Sequence, residues 1–396
     1  MIDALKKDVC ASVDRLAREL LAVSHEIHAH PELCFEEVHA ARLLAETGRG
    51  HGLDVHQNVY GLETALEARV GSGGATVALL SEYDALPGIG HACGHNIIAA
   101  SALGAALALA ELGTRLPGSV RWLGTPAEEG GGGKEIMARN GSFEGVDAAL
   151  MIHPAGINLV TMPCIAVADA RVVYTGVASH ASAMPERGVN ALDALVLAYQ
   201  GIAALRQHIR TTERLHGIIT DGGQAPNIVP ERAAGRFLVR AANAKHLAEL
   251  KKRVIGCFEA GADATGAKLE LTWGAIDYLD LDTSWPLANR FQVNAESLGR
   301  SFFPWDKVPA GLQGSTDMGN VSQRVPAIHP MLACSPPNVS IHNPEFAKWA
   351  ASDMGDQAVL DGAKALAMTA LDFFADEKLR AEVARSFAQA RAARGS

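Results

Sequence analysis

Residues 76–110 have the sequence TVALLSEYDALPGIGHACGHNIIAASALGAALALA. The apolar run from Thr76 to Leu80 predicts a short buried strand, and the glycines and proline that follow it predict a loop. The second apolar run, Ile97 to Ala110, is too short to span a membrane and predicts a buried helix. Strand, loop and helix together form a βα unit, which indicates an α/β fold with a mostly parallel sheet flanked by helices.

The same alternation is predicted on both sides of a central region that differs from it. In the central region the predicted order is β-α-β-β-α-β, which is that of a ferredoxin-like unit. At 396 residues the chain also exceeds the usual size of a single domain. We therefore expect a discontinuous catalytic domain, residues 1–166 and 282–396, interrupted by an inserted domain, residues 167–281. In the flanking regions, further strands are predicted over 64–70, 119–124, 148–152 and 327–333, and helices over 5–29, 36–50, 287–298 and from 356 onward.

Composition and charge exclude several classes of protein. The chain is 48% hydrophobic and 20% charged, as ordinary globular proteins are. Its net charge of −9 provides no basic surface for a nucleic acid. The six cysteines follow no disulfide spacing, and the N-terminal residues lack the apolar stretch of a secretory signal. We therefore expect a cytoplasmic protein that binds neither nucleic acid nor membranes.

Residues of metal-binding type follow the predicted strands. Cys93 and His95, two apart in backbone expected to be non-helical, can point the same way. Thiolate and imidazole together favour a transition metal over magnesium or calcium. Because strand ends of an open α/β sheet meet at one edge, residues far apart in sequence are expected to form one site there. The ligand-type residues are, in chain order, Cys93, His95, Glu128, Glu129, His153 and His342.

The Glu128-Glu129 pair suggests a division of labour. Neighbouring side chains in extended backbone diverge, so one carboxylate can bind a metal while the other transfers a proton, as metal-assisted hydrolysis requires. Alone, the pair is better explained as a solvated charge pair and a single histidine as structural, whereas the Cys93 loop favours a metal site over a structural loop even by itself. The shared strand-end position favours a site for all of them. The glycine run at 130–133 is not a phosphate loop, because that motif requires Gly at 128 and a hydroxyl at 135, where both residues are Glu.

Nine short motifs resemble one known family, the aminoacylase/carboxypeptidase-type dinuclear metallopeptidases. The resemblance is to the amidohydrolase branch that includes p-aminobenzoyl-glutamate hydrolase, related dipeptidases and hippurate hydrolase. It extends over nearly the whole chain and is specific because all nine motifs occur in order. They are HAHPE (28–32), DALPG (84–88), HACGH (91–95), PAEE (126–129), SHA (179–181), GVNA (188–191), NIVP (227–230), GSTD (314–317) and HNP (342–344).

The resemblance implies a dinuclear centre. Glu128 resembles the catalytic base of the family, and Asp84 resembles a carboxylate that supports the metal ligands. The cofactors implied are two divalent ions, manganese or zinc. The residues that resemble their ligands are Cys93, His95, Glu129, His153 and His342.

The resemblance also implies a role for the inserted domain. In the family this domain is a lid and a dimerisation domain, so the chain is expected to form a homodimer. His180 resembles a histidine that reaches the active site of a partner subunit and stabilises the oxyanion. Asn227 resembles a residue that contacts the substrate there.

The function expected is hydrolysis of the amide bond of an N-acyl amino acid or a dipeptide. A metal-bridging hydroxide would attack, with Glu128 as the general base. Asn96 after Cys-Gly-His, and Glu82-Tyr83 before Asp84, resemble the subgroup of p-aminobenzoyl-glutamate hydrolase and similar dipeptidases. The alternatives are an exopeptidase acting on longer peptides, a binding protein on an inactive hydrolase fold, and a purely structural metal site, which would normally have four ligands and no spare base.

Overall fold

A computed structural model describes residues 2–309 and 312–395 of the chain. Its helices are, in chain order, α1 (Ile2–Ala29), α2 (Val38–Gly50), α3 (His95–Ala110), α4 (Gly133–Arg139), α5 (Ala191–Leu205), α6 (Ala244–Thr265), α7 (Trp285–Ser297), α8 (Met318–Ser322), α9 (Pro344–Trp349), α10 (Asp353–Ala375) and α11 (Glu377–Gly395). Its strands are β1 (Val55–Gln57), β2 (Leu66–Val70), β3 (Thr76–Ser81), β4 (Ser119–Gly124), β5 (Ala148–Leu150), β6 (His153–Ala155), β7 (Ala166–Thr175), β8 (Arg214–Asp221), β9 (Arg232–Ala241), β10 (Lys268–Trp273), β11 (Ala327–Ile328) and β12 (Met331–Ala333).

The chain forms two compact units. The first unit combines Met1–Pro163 with Leu281–Ser396, and the second is Cys164–Asp280. Each unit has its own cluster of buried apolar side chains. The first unit is therefore discontinuous in sequence, and the second is a continuous insert.

The first unit is built on a six-stranded mixed sheet. The strand order is β1-β2-β4-β3-β5-β11. The pairs β4–β3, β3–β5 and β5–β11 are parallel, whereas β1–β2 and β2–β4 are antiparallel. The expected α/β fold with a mostly parallel sheet is confirmed, with an antiparallel edge added to it. In the parallel region the carboxyl ends of β3, β4, β5 and β11 lie at the same edge.

Helix α3 is buried along nearly its whole length. Every residue from His95 to Leu109 is buried, because the sequence is apolar on all sides and not along one face only. The helix packs against α1, α10 and β3. Its first residue, His95, therefore lies close to the end of β3. Of the helices in the part of the chain that the structure describes, none has both the length and the apolarity needed to cross a membrane.

The strand expected over 327–333 is not continuous, and that prediction is wrong. Strand β11 ends at Ile328, and β12 begins only at Met331 and pairs with β6 in a separate two-stranded sheet. Pro330 lies between them and has no N–H for the ladder, so the strand is interrupted there. The strand expected over 148–152 likewise ends at Leu150, and His153 starts β6. Both breaks lie beside an Ile-His-Pro sequence.

The second unit has the order β7-α5-β8-β9-α6-β10. Its four strands are antiparallel and have the order β10-β7-β9-β8. Alternate residues of β7 are buried, and helices α5 and α6 pack on the sheet. The expected ferredoxin-like order is therefore observed in the insert. Its role as a lid or dimerisation domain remains a prediction.

Candidate metal centre

The loop after β3 brings Cys93 and His95 to the carboxyl edge of the sheet. Between them, Gly94 has a left-handed backbone with φ of 76°, and His95 is the first residue of α3. A Cβ atom on Gly94 would lie 2.8 Å from Cγ of Pro154, so the packing of this loop requires glycine. The expectation that Cys93 and His95 both lie in non-helical backbone is wrong, because the helix begins at His95.

The two ring nitrogens of His95 have different surroundings. Nδ1 donates a hydrogen bond to Oδ1 of Asp84 at 2.9 Å, so in the neutral ring the lone pair is on Nε2. Nε2 has no hydrogen-bond partner among the described residues. Metal-binding histidines usually donate their other N–H to a carboxylate or a carbonyl in this way. The carboxylate oxygens that Nε2 faces belong to Glu82 at 3.5 Å, Glu129 at 3.8 Å and Glu128 at 4.0 Å.

His153, the first residue of β6, repeats this arrangement. Its Nδ1 donates to the carbonyl oxygen of Pro154 at 2.7 Å, and its Nε2 lies 3.4 Å from Sγ of Cys93. The side chain is buried, and this burial lowers the pKa of His153 to about 4. A neutral imidazole with its Nε2 lone pair directed at a thiol is suited to bind a metal.

Glu129 and His342 complete the group from two other loops. The backbone N–H of Glu129 donates to Oδ2 of Asp84 at 2.8 Å, and its Oε1 lies 3.5 Å from Nε2 of His342. His342 has φ of 60°, and its N–H donates to the carbonyl oxygen of Ala92 at 2.8 Å. It lies in the loop before α9, so the expectation that it follows a strand directly is wrong.

The structure thus brings six of the sequence-predicted residues together. Their donor atoms form three overlapping groups, in each of which all atoms lie within 4.8 Å of one another. Asp84 contacts two of these residues. The groups are Cys93, His95 and His153; Cys93, Glu129 and His342; and His95, Glu128 and Glu129.

His180 and Asn227 belong to the second unit and lie next to each other there. The N–H of Ala181 donates to the carbonyl oxygen of Asn227 at 3.0 Å. The side chains of His180 and Asn227 are both exposed. The N–H groups of Ser182 and Ala183 donate to Nδ1 of His180 at 3.3 and 3.2 Å. Since Nδ1 accepts, the neutral ring of His180 has its proton on the exposed Nε2.

The centre is strongly acidic. Burial opposes the ionisation of Asp84, yet the neighbouring His95 and the hydrogen bonds to Asp84 hold its pKa at about 2. Burial, together with the charges of Glu82 and Glu129, raises the pKa of Glu128 well above its ordinary value. Excess negative charge at low dielectric favours the binding of cations. The donor set of sulfur, imidazole nitrogen and carboxylate oxygen fits divalent transition metals.

Three further residues lie at the centre and were not predicted as site residues from the sequence: Glu82, Lys134 and Asp317. Lys134 is fully buried, and its Nζ donates to Oδ1 of Asp317 at 2.6 Å and forms an ion pair with Glu82. Burial opposes the charge of Lys134, but the carboxylates of Asp317, Glu82 and Glu128 outweigh it and raise its pKa above the ordinary value. The signal in the sequence was a lysine directly after the glycine run that follows the Glu128-Glu129 pair.

Residues 78–372 match the family described as Peptidase family M20/M25/M40. The chain belongs to this family. It is 40% identical over 400 residues to the Xaa-Arg dipeptidase of Mus musculus, with 98% of this chain and 93% of the relative covered. It is 29% identical over 434 residues to a subunit of the p-aminobenzoyl-glutamate hydrolase of Escherichia coli (strain K12), with 91% and 90% covered.

The fold of this M20 chain is also found in solved structures. One is the Bacillus subtilis YXEP protein, described as a dinuclear metal binding peptidase from the M20 family, with a TM-score of 0.69 and 21% identity. The match covers 90% of this chain and 98% of that one. The resemblance expected from the nine motifs is therefore confirmed. The M20 chain is an enzyme of the metal-dependent amidohydrolase and dipeptidase type.

Proposed function

We propose that this M20 enzyme hydrolyses dipeptides and N-acyl amino acids at the edge of the sheet where β3 and β4 end. One observation supports this function above all. The buried rings of His95 and His153 both use Nδ1 for a hydrogen bond inside the protein and direct Nε2 into one group of acidic and thiol side chains. The metal ligands proposed are Cys93, His95, Glu129, His153 and His342.

The cofactor proposed is a pair of divalent cations, manganese or zinc. Two donor groups share Cys93, one with His95 and His153 and the other with Glu129 and His342, which supports two adjacent positions. Bound divalent cations would lower the pKa of coordinated water toward ~7 and polarise the amide carbonyl. Asp84 orients two of the ligands, because it accepts from the ring of His95 and from the amide of Glu129.

Glu128 is the general base in this proposal. Its neighbour Glu129 is held by the hydrogen bond from its amide to Asp84 and by the approach of His342. Glu128 groups with His95 and Glu129 as well, but its carboxylate also groups with Glu82 and Asp317. Its carboxylate accepts the proton of the attacking water and delivers it to the departing amine.

The insert supplies the remaining groups in this proposal. The exposed Nε2–H of His180 donates to the oxyanion that forms on the substrate carbonyl, and Asn227 beside it contacts the substrate. We assign both contributions to the partner subunit of a homodimer. The tautomer imposed on His180 by the backbone N–H groups of Ser182 and Ala183 supports the donor role. We also propose a cytoplasmic enzyme, in which the free cysteines stay reduced.

Dipeptides with a C-terminal arginine are the first substrates to test. The relative of 40% identity is an Xaa-Arg dipeptidase, whereas the relative of 29% identity belongs to a p-aminobenzoyl-glutamate hydrolase. The purified chain, loaded with manganese or with zinc, should be assayed against dipeptides ending in Arg, Asp or Leu, against p-aminobenzoyl-glutamate, N-acetyl amino acids and matched tetrapeptides.

We expect dipeptides ending in Arg to be hydrolysed fastest and chelation to abolish the activity. A preference for the tetrapeptides would favour the exopeptidase alternative. Metal-loaded protein that hydrolyses none of these compounds would refute the proposed function.

A further inference from the structure

A second group of carboxyl oxygens adjoins the proposed metal ligands and shares Glu128 with one of their groups. Oxygen atoms of Glu82, Glu128 and Asp317 lie within 4.8 Å of one another, which is close enough to hold a cation. The three side chains are buried. We name them the acidic trio. Three buried carboxylates without a cation would be costly, because each loses its hydration.

The ammonium group of Lys134 supplies this positive charge. Nζ donates to Asp317 at 2.6 Å and forms an ion pair with Glu82, and the side chain is fully buried. The backbone N–H of Lys134 also donates to Asp317, at 2.9 Å. Two donors of one residue therefore bind the two oxygens of one carboxylate, which fixes the position of the ammonium group.

The glycine run places Lys134 in this position. Helix α4 begins at Gly133, where an added Cβ atom would lie 1.9 Å from the carbonyl oxygen of Pro126. Gly132 has a left-handed backbone with φ of 67°. The chain can therefore turn back against the Pro126–Glu129 segment directly after the glutamate pair. This turn directs Lys134 inward, between the ends of β3 and α8.

We propose that Lys134 is a positioning residue of the metal centre and that its ammonium group is the resident cation of the acidic trio. It holds Glu82 so that the second carboxylate oxygen of Glu82 faces Nε2 of His95, and it excludes divalent metal from this position. The inference rests on the proposed metal centre. It adds to that centre a fixed ammonium group, which confines bound metal to the positions next to Cys93 and the proposed histidine ligands.

The chemistry explains why an ammonium group is suitable here. A divalent ion in the acidic trio would coordinate Glu128, and a coordinated carboxylate is no longer available as a proton acceptor. An ammonium group bonded to Glu82 and Asp317 balances charge in place of a metal ion that would coordinate Glu128. The covalent link to the backbone also prevents exchange with cations from solution.

The test is to remove the ammonium group and count bound metal. Lys134→Ala and wild type are equilibrated with manganese, with and without ethylammonium chloride, and bound manganese per chain is measured by elemental analysis. We expect about two ions in the wild type, one more in Lys134→Ala, and return to the wild-type number when ethylammonium fills the cavity. Turnover of Lys134→Ala is expected to fall about 100-fold and to recover at least tenfold with ethylammonium.

Lys6→Ala is the matched control. Lys6 pairs with the buried Asp372 at 2.6 Å, so the variant also removes a lysine from a buried carboxylate, but between α1 and α10. We expect it to keep the wild-type metal number and to be insensitive to ethylammonium. If Lys134→Ala does not fold, manganese or ethylammonium should restore its folding and should have no such effect on Lys6→Ala. Failure of both additives to restore folding would overturn the inference.

The possible failures are distinguishable. If folded Lys134→Ala binds as many ions as metal-loaded wild type and ethylammonium has no effect, the role proposed for Lys134 is overturned. The proposed metal centre is not affected by that result. Wild-type protein that binds no manganese or zinc refutes the proposed metal centre and this inference with it.

Discussion

Glu128 and Glu129 differ in their contacts although they are adjacent in sequence. The amide of Glu129 is bonded to Asp84, and its carboxylate faces the rings of His95 and His342. An oxygen of Glu128 also lies within 4.8 Å of oxygens of Glu82 and Asp317. Ala127, just before them, has a left-handed backbone with φ of 60°, which is unusual for a residue other than glycine. Both glutamates directly follow this turn.

A comparison of the Glu128→Gln and Glu129→Gln variants should distinguish the residue that transfers the proton from the residue that binds metal. Glu128→Gln keeps the size of the side chain but removes the proton acceptor, so turnover should fall about 100- to 10,000-fold while bound metal is unchanged. Glu129→Gln should lower the metal content as well as turnover. Steady-state kinetics and elemental analysis of the same preparations measure both quantities. Metal-bound Glu128→Gln with wild-type turnover would show that another group is the base.

Glu37 is a buried carboxyl group that holds the turn before the glutamate pair. It accepts hydrogen bonds from the N–H groups of Ala127 at 2.8 Å and Phe35 at 2.9 Å, and from the hydroxyl of Thr64 at 2.9 Å. Burial raises the pKa of Glu37 to about 7, despite these hydrogen bonds. Because the pKa is higher in the folded state than in the unfolded state, protonation of Glu37 stabilises the fold.

The stabilisation by protonated Glu37 is complete below about pH 4.5 and is lost as the pH rises through about 7. Glu37→Gln imitates the protonated acid, so its free energy of unfolding should exceed that of the wild type by up to about 3 kcal/mol at pH 8, with little difference at pH 4.5. Urea unfolding across this range measures the difference. Glu36→Gln, at the exposed neighbouring position, is the control. An equal pH dependence of wild type and Glu37→Gln would contradict the prediction.

At the scale of elements, the glycine run before α4 provides a matched pair of substitutions. A Cβ atom on Gly133 would collide with the carbonyl oxygen of Pro126, whereas one on Gly130 would meet no atom within 4 Å. Gly133→Ala should therefore destabilise the fold by about 2 kcal/mol or more and reduce turnover, because it displaces Lys134. Gly130→Ala should change stability by less than about 1 kcal/mol. Thermal unfolding of both variants measures this, and similar effects would contradict the assigned packing.

Most elements could be predicted from the sequence, because their apolar patterns are long and distinct. Strand β4 and the ferredoxin-like order of the insert are examples. The break between β11 and β12 could not be predicted in this way. Apolar residues occur on both sides of Pro330, and this pattern predicts one continuous strand although Pro330 has no N–H. The start of α3 at His95 is hidden as well, because Gly94 suggests a continuing loop. Both errors concern the residues where a local backbone effect overrides the pattern.

The grouping of the candidate residues was predictable where residues of ligand type follow predicted strands, as Cys93 and His153 do. Lys134 was not, because a buried lysine depends on carboxylates that are distant in sequence, such as Asp317. The glycine run before it resembles a phosphate loop only in part, and its pattern gives no sign that the lysine is buried. The ligand roles themselves remain predictions that the metal analyses test.

At the scale of the whole molecule, the proposed exchange of His180 between subunits can be tested by complementation. Glu128→Gln and His180→Ala should each be nearly inactive as homodimers. In a mixed dimer, one site would combine Glu128 of the His180→Ala chain with His180 of the Glu128→Gln chain. Random reassortment should then restore about a quarter of wild-type activity. The measurement is turnover after co-expression of the two variants.

A mixture of either variant with wild type is the control for assembly. Size-exclusion chromatography of the wild type should show a dimer. No gain of activity above that of the separate variants, in mixtures shown to contain mixed dimers, would place His180 in the site of its own chain.

The discontinuous first unit also has a consequence for biosynthesis. Strand β5 pairs with β11, and α3 packs against α10, so the N-terminal residues reach the ribosome exit long before their partners. The insert, in contrast, is continuous and is expected to complete its own sheet while residues 281–396 are still being added. During this interval the apolar surface of α3 is not yet covered by α10. We therefore expect the yield of active enzyme in a cell to depend on translation rate and chaperone supply as well as on the stability of the finished fold.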